Sequence, residues 1–219
     1  MLKSINKVIK ILTLSDVLLL TGFGFIAPIF AIFIAQRITA GDIGEAAKIA
    51  GFTMGIYWGV KSILQIPFGR YLDKVKGEKD DLWFIVIGNV LAAVAVFGYI
   101  FSSLSWHIYL CQGIYSLGMA MNIPGWTAIF TRHIDKGKEA FEWASRSTFI
   151  GIGAAASGAL GGIIAAKFGF NVLFTGIGIF ALASALLPFL VYKELAPKDR
   201  ISPRVPEAKG LQEPHLPKE

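Results

Sequence analysis

The sequence predicts an all-α membrane protein built from six transmembrane helices. Three observations carry that reading. The 219 residues are 54% hydrophobic and only 16% charged, with a mean hydropathy of +0.60, against about 25% charge in soluble domains. The apolar residues fall into six runs, each near or above the ~20 residues that a helix needs to cross about 30 Å of hydrocarbon. Charge is confined to the gaps, above all to Gly69–Asp81 (GRYLDKVKGEKDD), which reads as a tight turn between two spans.

The elements follow in order. Residues 1–10 are short and basic, and the first apolar run, about 11–36, is too long for a signal-peptide core and lacks a small-residue cleavage site, so it reads as a retained span. The second run, 49–68, holds one charge, Lys61; the third, 82–101, holds none. The fourth is 106–130, the fifth 144–166 and the sixth 170–192. The tail, 193–219, is rich in Pro, Lys and Glu and reads as a disordered segment. Pro28 and Pro124 lie inside the first and fourth spans, where each removes a helical hydrogen bond and favours a kink. Both spans begin a three-helix block and carry their proline somewhat past the middle, a faint trace of an inverted repeat.

Basic residues set the orientation. With the N-terminus inside, 17 of the 21 Lys and Arg are cytoplasmic, Arg132 and Arg146 among them; three (Arg37, Lys48, Lys167) are outside, and Lys61 is within a span. That asymmetry places both termini in the cytoplasm. The formal charge of +6 then points to anionic lipid headgroups rather than nucleic acid. Trp83, Trp106, Trp143 and Tyr192 fall near span ends, as interfacial aromatics do. A single cysteine, Cys111, excludes an internal disulfide.

Polar residues inside spans are the candidates for function. Lys61 lies about 12 Å from the end of its span and has three readings: a stem that snorkels to water, a cavity-lining cation that attracts an anionic solute, or half of a structural ion pair. Asp16, about one turn different in depth, is its expected partner; it serves either proton coupling or structure. Gln65, Asn89, Gln112 and Asn122 add uncharged groups that line a path or join helices. Small residues at four-residue spacing, Gly51, Gly55 and Gly59 in the second span and Ala154, Gly158, Gly162 and Ala166 in the fifth, form ridges. Such ridges either cement a static bundle or let helices slide.

No phosphate loop, His-Glu-x-x-His or nucleophile elbow is present. The sequence assigns no catalytic residue, no cofactor and no metal site. Any energy for transport would come from an ion or solute gradient, or from a partner subunit.

Several motifs together resemble the N-terminal six-helix half of a major facilitator superfamily transporter, of the drug and metabolite exporter kind. Gly69, Asp73 and Lys74 match the spacing of the family's loop between the second and third helices; Gly77 comes one residue late, and Glu78 and Lys79 stand in place of a basic pair. Gln65 and Pro67, Asp16 and Pro28, Gln112 and Gly113, and Gly161 and Gly162 resemble further family positions, with Tyr109 where many members have arginine. The resemblance implies half of a major facilitator fold, with Gly69, Asp73, Lys74 and Gly77 as a conformational latch. It implies secondary active transport of a small solute by alternating access, with coupling to protons open. It also implies a partner, a second copy or a separate six-helix half. The alternative is a non-transporting scaffold, assembly subunit or truncated fragment.

Overall fold

The computed structural model describes residues 5–75 and 77–195. Within them lie six α-helices: α1 (Lys7–Gly24), α2 (Phe30–Arg37), α3 (Ile43–Lys74), α4 (Glu78–Ile100), α5 (Ser105–His133) and α6 (Glu139–Leu186). The first span expected from the sequence is α1 and α2 together, joined by a 3-10 turn at Ala27–Ile29 that carries Pro28. α6 contains the fifth and sixth runs. Gly169, at φ 81 and ψ 164, breaks it into two arms, because only glycine adopts that region without strain. A second 3-10 turn, Leu187–Val191, closes the bundle. The tail expected to be disordered lies outside the described residues from 196 onward.

Local chemistry sets the helix ends. Asn6 caps α1 by accepting from the Ile9 N–H at 2.9 Å, and Asp42 caps α3 by accepting from the Glu45 N–H at 2.9 Å. α4 opens with Glu78, Asp80 and Asp81, and α5 closes with Arg132 and His133, each sign favourable to its helix dipole. Pro28 interrupts its helix as expected. Pro124 does not, since α5 runs unbroken through it, as α3 does through Pro67.

The chain reverses between two ends of the bundle. At one end Asn6, the α3–α4 turn, the α5–α6 junction and Glu194 meet: Asn6 donates to the His133 carbonyl and Lys7 pairs with Glu194 at 2.6 Å. At the other, Arg37 donates to the Ile100 carbonyl at 3.0 Å, and Gln36 and Arg37 border Phe168–Asn171. α1 packs on α6, α4 on α5 and α6, and α3 on α5. Among the described residues three segments are long and apolar enough to cross a membrane by composition: Lys7–Arg37, Glu78–Ile100 and Glu139–Val191. α3 and α5, with their dispersed polar residues, fall short, so six crossings do not follow from composition alone.

Small residues bring helices together, but not where the ridges predict. A Cβ on Gly88 would strike the Gly118 carbonyl across the α4–α5 crossing, and one on Gly161 would strike the Phe25 carbonyl. Gly51, Gly55 and Gly59 on α3, and Gly158 and Gly162 on α6, have nothing within 4 Å of such a Cβ. The packed ridge of α6 is Gly153, Ser157 and Gly161, one residue earlier than expected. Both predicted ridges therefore face outward.

Candidate functional site

A half-open cavity of about 300 Å³, bordered by the exposed Thr127 and Trp143, has one ion pair in its wall. Asp16, on α1 and 6% exposed, meets Arg146 from the start of α6, with Arg146 Nη2 at 2.5 Å from Asp16 Oδ2. This corrects the expected pairing: Asp16 is bound to Arg146, not to Lys61, and Arg146 is a partly buried residue of α6. The guanidinium also lies 4.3 Å from the Trp126 ring centre and 5.8 Å from that of Trp143, a stacking that arginine makes well. Trp126 is pinned by its Nε1, which donates to the Leu12 carbonyl at 3.1 Å, and by stacking on Phe130 at 4.5 Å. Trp143, near the start of α6, also lines the cavity.

Asn122 connects the cavity to the core. Its Nδ2 donates to Asn89 Oδ1 at 2.6 Å, Asn89 Nδ2 donates to Ser184 Oγ at 2.7 Å, and Ser15 Oγ donates to the Ser184 carbonyl at 2.8 Å. The relay ties four helices together around the residue next to Asp16. Buried amides joined in this way cost little and fix helix rotation. Asn89 is thus internal to the packing, while Asn122 also reaches the cavity.

Tyr57 of α3 borders this cavity and a second one of about 290 Å³. Gln112 lines the second, where its Oε1 accepts from the Tyr99 hydroxyl at 2.7 Å. Tyr57 and Tyr115 stack at 5.5 Å between the ring centres. Lys61 is buried, with its ammonium 3.8 Å from the Trp58 ring centre and 5.0 Å from that of Tyr57. No carboxylate among the described residues pairs with it, and the aromatic faces supply part of the compensation.

The remaining candidates gather at the α3–α4 end. Gln65, Gly69 and Asp73 line a groove of about 580 Å³ between α3 and α5, opposite Pro124 and Arg132. Lys74 ends α3 and Gly77 caps α4. Among the described residues no ion pair reaches Asp73. The pairing is made by its neighbours: Arg132 binds Asp81 and approaches Glu78 Oε1 at 3.4 Å, and His133 Nε2 lies 3.0 Å from Glu78 Oε2. Glu78 and Asp81 are fully buried. Beside them Asp135 accepts from Asn6 and from Lys138. Burial pushes the Asp135 carboxyl up, but these partners outweigh it and hold it below the usual aspartate range.

Sequence reasoning missed Arg146, Trp126, Trp143 and Tyr57 as cavity residues. One signal for Arg146 was available: it lies within a few residues of the same end of its apolar run as Asp16 does of its own, so the two share a depth.

The site therefore combines a largely buried ion pair with aromatic walls inside a helical bundle. No curated protein matches the chain. A family model described as Major Facilitator Superfamily matches residues 12–216, and with nearly its whole length inside that match the chain belongs to the major facilitator superfamily of membrane transporters.

Proposed function

We propose that the chain is one six-helix half of a secondary active transporter that moves a small solute across the cell membrane by alternating access. The observation that carries this reading is the Asp16–Arg146 pair in the wall of the half-open cavity, since intramembrane charges line solute and ion pathways. The reversals of the chain between two ends support six crossings, with α3 and α5 supplying polar walls at the expense of apolarity. The positive-inside asymmetry supports cytoplasmic termini and a cytoplasmic α3–α4 turn.

The opposite wall of the pathway comes from another six-helix body, a second copy or a separate half. The outward small-residue seams on α3 and α6 support this, because they suit the close approach of a helix. The groove at Asp73 is the latch contact to that body, free to open because Arg132 is already occupied by Glu78 and Asp81. Asp16 is the proton carrier: when Arg146 turns away, a partnerless buried carboxylate takes up a proton.

Reconstitution into proteoliposomes with an imposed pH gradient tests the reading. Solute uptake driven by the gradient and lost in Asp16→Asn is the expected result. A strictly monomeric chain that moves no solute and shows no solute-dependent stabilisation would refute it and favour a scaffold.

A further inference from the structure

We propose that the Asp16–Arg146 cavity takes a zwitterionic, amino-acid-like solute with an apolar side chain, a substrate class that rests on the transporter reading for its setting.

The two charges of the cavity wall cancel, and among the described residues Asp16 and Arg146 are the only charged ones that line it. A singly charged solute that engaged one of them would weaken the existing pair and leave the other charge buried without compensation, which is the costly state for an ion in a protein interior. A zwitterion avoids this. Its carboxylate approaches Arg146, whose Nε is buried and without a hydrogen-bond partner, and its ammonium approaches the Asp16 carboxylate. The four groups then form a ring of alternating charge without separation of the resident pair. Guanidinium forks suit carboxylates in particular. Asn122, whose N–H is spent on Asn89, leaves its carbonyl oxygen as an acceptor for the ammonium.

The remainder of the wall decides the side chain. Leu20, Met119, Ile123 and the Trp126 and Trp143 rings offer apolar surface, and Tyr57 and Thr127 add two hydroxyls, too few for a polyol, which would leave most of its own without partners. The volume of about 300 Å³ has room for about ten water-sized groups, the size of a single amino acid. Lys61 is held over its own aromatic neighbours and does not line this cavity, so no second cation is present to favour an anion.

The test uses the full chain in lipid nanodiscs, read by indole fluorescence and thermal shift, with four probes: leucine, its amide (a cation), N-acetylleucine (an anion) and methyl glucoside. Leucine is expected to bind at least about tenfold tighter than either singly charged analogue, a difference of about 1.4 kcal/mol. Asp16→Asn is expected to move the preference toward N-acetylleucine, and Arg146→Gln toward leucinamide. The wild-type ranking decides the class even where a variant fails to fold. Equal binding of the singly charged analogues, preference for the glucoside, unchanged selectivity in both folded variants, or no binding of leucine overturns the proposal. Leucine binding without flux in proteoliposomes keeps this site and overturns the transporter reading; flux of another solute without leucine binding does the reverse.

Discussion

Gly161 and Gly162 are adjacent, and alanine at each should act with opposite sign. A Cβ at Gly161 would lie 2.8 Å from the Phe25 carbonyl carbon and 3.1 Å from its Cα, closer still to the carbonyl oxygen, against 3.4–4 Å for ordinary contact. These are backbone atoms at the end of α1 and cannot rotate away, so the helices must part by about 1 Å along a close-packed seam. Overpacking of this kind costs about 1–3 kcal/mol, and a backbone partner places it at the upper end. Helix propensity returns at most about 1 kcal/mol for alanine over glycine, which leaves a net loss of about 2 kcal/mol. At Gly162 nothing lies within 4 Å, so only the propensity gain remains. For a chain of this size 1 kcal/mol corresponds to about 2–4 °C, which predicts Gly161→Ala about 6 °C below wild type and Gly162→Ala equal to it or slightly above. Thermal unfolding of both variants in the same detergent checks this. Equal shifts, or a larger loss at Gly162, would refute the assignment of the packed face. Gly158→Leu completes the set: it should leave the monomer's unfolding temperature nearly unchanged and weaken association with the second six-helix body proposed above.

The other expectations concern charge and backbone. Arg146→Gln leaves the buried Asp16 without its cation and should cost about 3 kcal/mol; adding Asp16→Asn should recover part of it, a coupling of about 1–3 kcal/mol in a double-mutant thermal cycle. Gly169→Ala forces a side chain into φ 81, ψ 164 and should cost about 1–3 kcal/mol, read as a lower unfolding temperature. The depressed Asp135 carboxyl contributes stability that is complete above the unfolded aspartate value of about 3.9 and is lost as pH falls through the lower folded value. Asp135→Asn should therefore lower the unfolding temperature at neutral pH and flatten its dependence below about pH 4.

A helical membrane protein was legible in the sequence because length and apolarity are properties of single segments. Six runs, the charged turn before α4 and the break by Pro28 all follow from local chemistry. The chain turns at Gly169, between the fifth and sixth runs, but that a single glycine makes the corner was not legible, because a glycine between apolar residues reads the same in a helix and at a corner. Pro124 shows the same limit, since a proline's lost hydrogen bond does not tell whether the helix stops there or runs on, as α5 does.

Lateral facing was the part that only the tertiary structure decided. In a soluble helix the polar face marks the outside, but lipid is as apolar as a protein core, so a membrane helix carries little pattern to say which side meets its neighbours. That is why the ridge Gly158–Gly162 and the ridge Gly153–Gly161 looked alike in the sequence, and why Asp16 was matched by depth to Lys61 although Arg146 shares its end of the bundle. Sequence by itself set how far along each helix a charge lies; the packing of α1 against α6, across more than a hundred residues, set which charge it touches.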